Sequence, residues 1–143
     1  MADALKTYVL DSFALFAYIQ AENAGPVVQG LLENARDNQL MLALSMINLG
    51  EVYYVIYREK GEVRAEEILK DLRELPIQLY AATDERVLAA ARIKANHPVS
   101  YADAFAAGLA QELGATLVTG DPEFKSVESM VDLFWLQNKS SKP

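Results

Sequence analysis

Short runs of β-prone apolar residues recur along this chain, each followed by a stretch with helical spacing. That alternation constrains the fold more than any other feature. A helix between two strands carries the chain back across a sheet, so successive strands pair in parallel. Residues 7–10, 40–44, 77–81, 115–119 and 131–136 read as strands, the last as a short edge strand. Residues 12–20, 26–38, 46–60 and 62–75 read as helices, and two more begin after Thr83 and Ser100. Ser45, Thr83 and Ser100 are placed to cap helices, Gly61 and Gly114 to end them, and Pro26 to sit in a first turn. The expected inward stripes are Phe13, Phe16 and Ala17, then Val27, Leu31, Leu32 and Ala35, then Val63, Ile68, Leu69, Leu72 and Leu75. The helix over 46–60 is apolar nearly all round and is expected to be largely buried.

No repeat, low-complexity segment or long linker divides the chain. The expected architecture is a three-layer α/β/α sandwich around a mainly parallel sheet of four to five strands, formed by residues 1–137 as one domain, with a disordered tail over 138–143. In such sheets ligands bind beyond the carboxyl ends of the strands, where the strand order reverses.

Composition narrows the function. The chain has 143 residues and no cysteine, which excludes disulfides and thiolate metal sites and fits a reducing cytoplasm. Its net charge of −7 disfavours a protein built on broad phosphate contacts, although a local basic patch remains compatible with it. The first sixteen residues lack a basic region ahead of their apolar run and do not read as a signal peptide. The richest apolar window, 40–57, is interrupted by Ser45, Asn48, Gly50 and Glu51, so it reads as a strand and a helix and not as a membrane span.

Four carboxylates stand in apolar company. Asp11 ends a strand, Glu51 lies on the apolar helix with Ile47 and Val55 one turn away on either side, Asp103 is followed by small alanines on its helix face, and Asp121 follows the run ATLVT. A buried carboxylate needs a cation, a metal or several hydrogen bonds. Each has a simpler explanation when taken alone. Asp11 and Asp121 suit helix caps or turns, and Asp103 completes an S-x-x-D pattern with Ser100. Glu51 fits neither a cap nor a solvated face. Four such acids converging at one sheet end favour Mg²⁺ or Mn²⁺, which prefer oxygen ligands. The matching chemistry is phosphodiester hydrolysis, in which one metal activates a water and a second can stabilise the leaving oxygen. Ser12 and Thr119 are placed to hydrogen-bond a metal water or a phosphate, and Glu123 is a possible fifth, outer carboxylate. His97 reads as a loop residue, and Tyr53, Tyr54 and Tyr57 as core or interface.

Four motifs in order, YVLDSFAL, INLGEVYYVI, VSYADAFAAGLAQELGATLVTGD and PEF, give the chain a resemblance to PIN-domain ribonucleases, and specifically to the toxin subunit of VapBC-type toxin–antitoxin pairs. The resemblance implies a metal-dependent endoribonuclease acting on structured RNA such as transfer or ribosomal RNA. Its acidic pattern falls on Asp11, Glu51, Asp103 and Asp121, and its frequent hydroxyl or amide position on Thr119. Many members carry Asp where this chain has Glu123. The resemblance also implies a homodimer and a small antitoxin, often one that inserts a basic side chain into the acidic site; the apolar, tyrosine-rich helix from Met46 is a suitable place for part of such an interface. Arg58, Lys60, Arg64, Arg86, Arg92 and Lys94 are candidates for holding a phosphate backbone. Two other readings stay open: an inert PIN-like binding or scaffold module, which four intact acids oppose, and a small-molecule phosphatase, which the lack of a Gly-rich phosphate loop or D-x-D motif opposes.

Overall fold

The computed structural model describes residues 5–136. The expected tail over 138–143 lies outside the described residues. The order of elements is β1 (Thr7–Leu10), α1 (Ser12–Ile19), α2 (Gly25–Arg36), β2 (Met41–Ser45), α3 (Met46–Lys60), α4 (Glu62–Arg73), β3 (Gln78–Tyr80), α5 (Asp84–Asn96), α6 (Tyr101–Leu113), β4 (Thr116–Thr119), a 3-10 helix (Pro122–Val127) and β5 (Asp132–Trp135). The five strands form one sheet in the order β3-β2-β1-β4-β5, and every pair is parallel.

Alternate side chains of the central strands feed two separate cores. Leu10, Leu42, Leu44 and Val118 join the core under α1–α4, whereas Val9, Ala43 and Leu117 join the core under α5, α6 and the 3-10 helix. Strands buried on both faces need apolar residues at successive positions, which is why β1, β2 and β4 lack polar alternation. Each fully buried Leu or Val here contributes about 1.5–3 kcal/mol. Local chemistry sets the ends of the elements. Ser45, Thr83 and Ser100 accept from backbone N–H groups of the helices they precede. Gly114 ends α6 in the left-handed conformation, with φ 59°, and Gly61 separates α3 from α4 at φ 92°, which a side chain rarely allows.

Several inward faces differ from the expected ones. In α1 the fully buried residues are Ser12, Ala14, Leu15 and Ala17, while Phe13 and Phe16 are half-buried and pack against the same core as Ala17. In α2 it is Val28 that lies under the sheet, at the centre of the stripe made by Leu31 and Leu32, and Val27 is exposed. Val63 opens α4 and is 76% exposed, with Ala65, Ile68 and Leu72 facing in. The largest correction concerns α3, which is not buried all round. It covers the sheet through Asn48, Leu49, Val52 and Ile56, and leaves Tyr54 and Tyr57 exposed. An apolar composition on every side hides which stripe faces inward; packing against α1 and α4 on one side decides it. No helix among the described residues is long and apolar enough to cross a membrane.

Candidate metal centre

The chain runs from β1 outward to β2 and β3, then returns to the other side of β1 with β4. The connections therefore part between β1 and β4, and the crevice opens beyond the carboxyl ends of those two strands. Asp11 directly follows β1, and Asp121 follows β4 by two residues.

Asp11 is 1% exposed. It caps α1: its Oδ1 accepts from Ala14 N at 2.8 Å. Its Oδ2 accepts from the Thr119 hydroxyl. That hydroxyl also accepts from Asp121 N at 3.0 Å, so one buried threonine joins the two strand ends. Burial pushes the Asp11 carboxyl up from 3.8 to about 7; the two hydrogen bonds oppose the rise, and the charges of Asp103 and Asp121 add to it.

Asp103 lies in the first turn of α6, and its backbone N–H donates to Ser100 Oγ at 3.1 Å. A capping box would have the Asp103 carboxylate reach back to Ser100 N. Instead Glu123 Oε1 accepts from Ser100 N at 3.3 Å. Glu123 thus takes over the return half of the box, and the Asp103 carboxylate is left to face the crevice. Burial, then the charge of Asp121, raises Asp103 to about 7; the Ser100 hydrogen bond opposes this, and Glu123 and Glu51 add to it.

Asp121 caps the 3-10 helix, its Oδ1 accepting from Glu123 N at 2.9 Å. Asp103, Asp121 and Glu123 each present one carboxylate oxygen, and the three lie within 4.8 Å of one another. Glu51 approaches from α3, half-buried, with Oε1 accepting from Ser12 Oγ at 2.5 Å. Of the four acids expected together, Asp11 feels the charges of Asp103 and Asp121, and Asp103 feels those of Asp121 and Glu51; Asp11 and Glu51 are not within ligand distance of the others. The tightest ligand set, however, is Asp103, Asp121 and Glu123. The sequence places Glu123 outermost, as a longer side chain where many members of the family it resembles carry Asp; its tie to Ser100 spans the fold.

Asn48 was missed as a site residue. It is fully buried at the start of α3 and donates from Nδ2 to Ser12 Oγ at 3.1 Å and to Ala102 O at 3.2 Å. The signal in the sequence is a lone amide among apolar residues, three positions before Glu51.

Among the described residues, the ion pairs Arg64–Glu67 and Arg86–Glu112 leave all five acids unpaired with a cationic side chain. Arg86 also donates to Ala81 O, which commits it away from the crevice. A crowded, half-desolvated set of oxygen donors with no histidine or thiolate among them fits a small hard divalent ion, Mg²⁺ or Mn²⁺.

A family model for the PIN domain matches residues 8–129. Comparison with curated protein sequences finds no significant match. Among solved structures, VapBC from Salmonella typhimurium bound to DNA superposes with a TM-score of 0.73 at 18% identity, covering 94% of this chain and 100% of that one. VapBC2 from Rickettsia felis, bound to a DNA fragment from its promoter, gives 0.71 at 18% identity, covering 92% and 99%. The sarcin-ricin loop cleaving toxin VapC20 of Mycobacterium tuberculosis gives 0.68 at 15% identity, covering 84% and 94%. At these identities the likeness is one of fold.

Proposed function

The chain belongs to the PIN-domain family, and we propose that it is a Mg²⁺- or Mn²⁺-dependent endoribonuclease that hydrolyses RNA phosphodiester bonds as the toxin of a toxin–antitoxin pair. The observation that carries this reading is the convergence of Asp103 with Asp121 and Glu123 at ligand distance, beside the buried Asp11.

On this reading Asp11, Glu51, Asp103 and Asp121 form the metal-binding and catalytic set, with Glu123 as a further ligand. The chemistry a bound ion supplies is activation of water for attack on phosphorus and neutralisation of charge on the phosphate. The chain's own part is placement. Thr119 holds Asp11 and the Asp121 backbone in one register, and Ser100 N–H fixes Glu123. Burial and mutual repulsion raise the carboxyls of Asp11 and Asp103 to about 7; a bound cation would favour the charged form of both.

Structured RNA, transfer or ribosomal, is the proposed substrate, a choice supported by the toxin VapC20 among proteins of this fold. The VapBC complexes of the same fold support an antitoxin partner. A basic side chain from that antitoxin suits the uncompensated acids. A homodimer through the exposed tyrosines of α3 and a cytoplasmic location complete the proposal.

The test is incubation of the purified protein with transfer and ribosomal RNA in Mg²⁺, Mn²⁺ or EDTA. Cleavage is expected with either metal, and none with EDTA or in the Asp103→Asn variant. Undiminished cleavage by that variant refutes the assignment.

A further inference from the structure

Asn48 has a feature that packing does not explain. Its Oδ1 is buried and has no hydrogen-bond partner among the described residues, an unfavourable arrangement for an amide oxygen. A leucine of similar volume at this position would leave no amide oxygen stranded. The amide orientation is nevertheless fixed. The Ala102 carbonyl can only accept, so the NH₂ end must face it, and the same nitrogen reaches Ser12 Oγ. Ser12 has a single hydroxyl proton. With an N–H arriving from Asn48, that proton has two acceptors, Glu51 Oε1 at 2.5 Å and the Asn48 backbone carbonyl at 3.5 Å, and the shorter, charged one takes it. The bonds run in one direction, from Asn48 through Ser12 to Glu51. The second arm of Asn48 ends on the residue that precedes Asp103.

We infer that Asn48 is a positioning residue for the acidic centre. Acting through Ser12, it sets the direction of the Glu51 carboxylate. Acting through Ala102, it ties the first turn of α6, which carries Asp103, to the helix that carries Glu51. The stranded oxygen is the cost of having both donors of one amide serve the site. Ser12 is then occupied in orienting Glu51, which leaves its proton uncommitted to any phosphate. The kinetic consequence rests on the nuclease reading; the hydrogen-bond relay does not.

Asn48→Ala, Ser12→Ala and the double variant form the test, with Mn²⁺ affinity measured by calorimetry and RNA cleavage by kcat and KM. Partners that orient metal ligands are typically worth about 10–100-fold in metal affinity or activity. Each single variant is therefore expected to lose affinity in that range, with kcat falling more than KM changes, and the double variant is expected to be no worse than the weaker single. Unchanged Mn²⁺ affinity and kcat in Asn48→Ala, or losses that multiply in the double variant, overturn the inference. Asn48→Leu keeps the volume and removes both donors, and it takes the place of the alanine variant if that fails to fold. Absence of both metal binding and cleavage in the wild type defeats the nuclease reading alone. The relay is then judged by NMR on the metal-free protein. Slow exchange of the Asn48 side-chain protons, accelerated in Ser12→Ala, supports it; exchange indifferent to Ser12 overturns it.

Discussion

Asp103 is held in a conflict that pH exposes. Its carboxyl is raised from 3.8 to about 7, and Asp11 is raised alike. Between about pH 4 and pH 7 the folded protein therefore keeps protons that the unfolded chain has released. The contribution of these groups to stability is full below pH 4 and is lost as pH rises through 7. Metal-free protein is expected to melt progressively lower from pH 5 to pH 7.5, and Asp103→Asn to melt higher than wild type at pH 7.5 with a flatter profile. Each kcal/mol of relieved repulsion moves the midpoint by about 3 °C in a chain of this size. Calorimetry in EDTA measures this; a wild-type melting temperature that climbs over that window contradicts the electrostatic account. Asp11, Glu51 and Asp103 were legible in the sequence because their apolar neighbours make them conspicuous. Glu123 is legible only as an outer carboxylate and Asn48 not as a site residue at all, because the contacts that place them lie 23 and 36 residues away, at Ser100 and Ser12. No local pattern carries that information.

At the level of elements, the joint between β4 and the 3-10 helix sets the position of Asp121. Gly120 lies in that joint under the ring of Phe13, and a Cβ there would come within 2.2 Å of the ring. The glycine permits this close approach of α1. Gly120→Ala is expected to displace Phe13 and the Asp121 backbone, destabilising the fold by about 1–3 kcal/mol and lowering cleavage more than melting alone accounts for. Chemical denaturation paired with cleavage rates distinguishes the two effects, and unaltered cleavage shows that the joint tolerates the shift. The caps at Ser45, Thr83 and Ser100 and the strand ends at Leu10 and Thr119 could be read from sequence because each is decided within a few residues. The 3-10 helix over Pro122–Val127 is not among the elements expected from the sequence. The inward side of α3 is hidden because the large rings of Tyr54 and Tyr57 suit a core as well as an interface, and only the neighbouring helices distinguish them from Val52 and Ile56.

For the molecule as a whole, the two exposed tyrosines of α3 predict self-association. The double variant Tyr54→Glu, Tyr57→Glu is expected to convert a dimer into the 15.8 kDa monomer without loss of helix content, as read by light scattering and circular dichroism. A wild type that is monomeric at tens of micromolar removes that interface. Saturating Mn²⁺ is expected to stabilise the whole fold, by about 2.7 kcal/mol at one hundred times its dissociation constant; a melting temperature indifferent to millimolar metal argues against a shared cation site. The layered parallel sheet followed from the alternation of runs such as Thr7–Leu10 with capped helices, whereas the order β3-β2-β1-β4-β5 is set by which cores the helices share. That order has a practical side. With every strand parallel, Lys6 enters the sheet at the amino ends of the strands, away from the acids, and Leu136, whose N–H donates to Thr119 O, leaves it at the carboxyl ends, on the side of the acids. A purification handle or fluorophore fused ahead of β1 starts on the far side of the molecule. The same group fused after β5 starts beside the crevice, where a polyhistidine sequence would compete for the very ion being assayed.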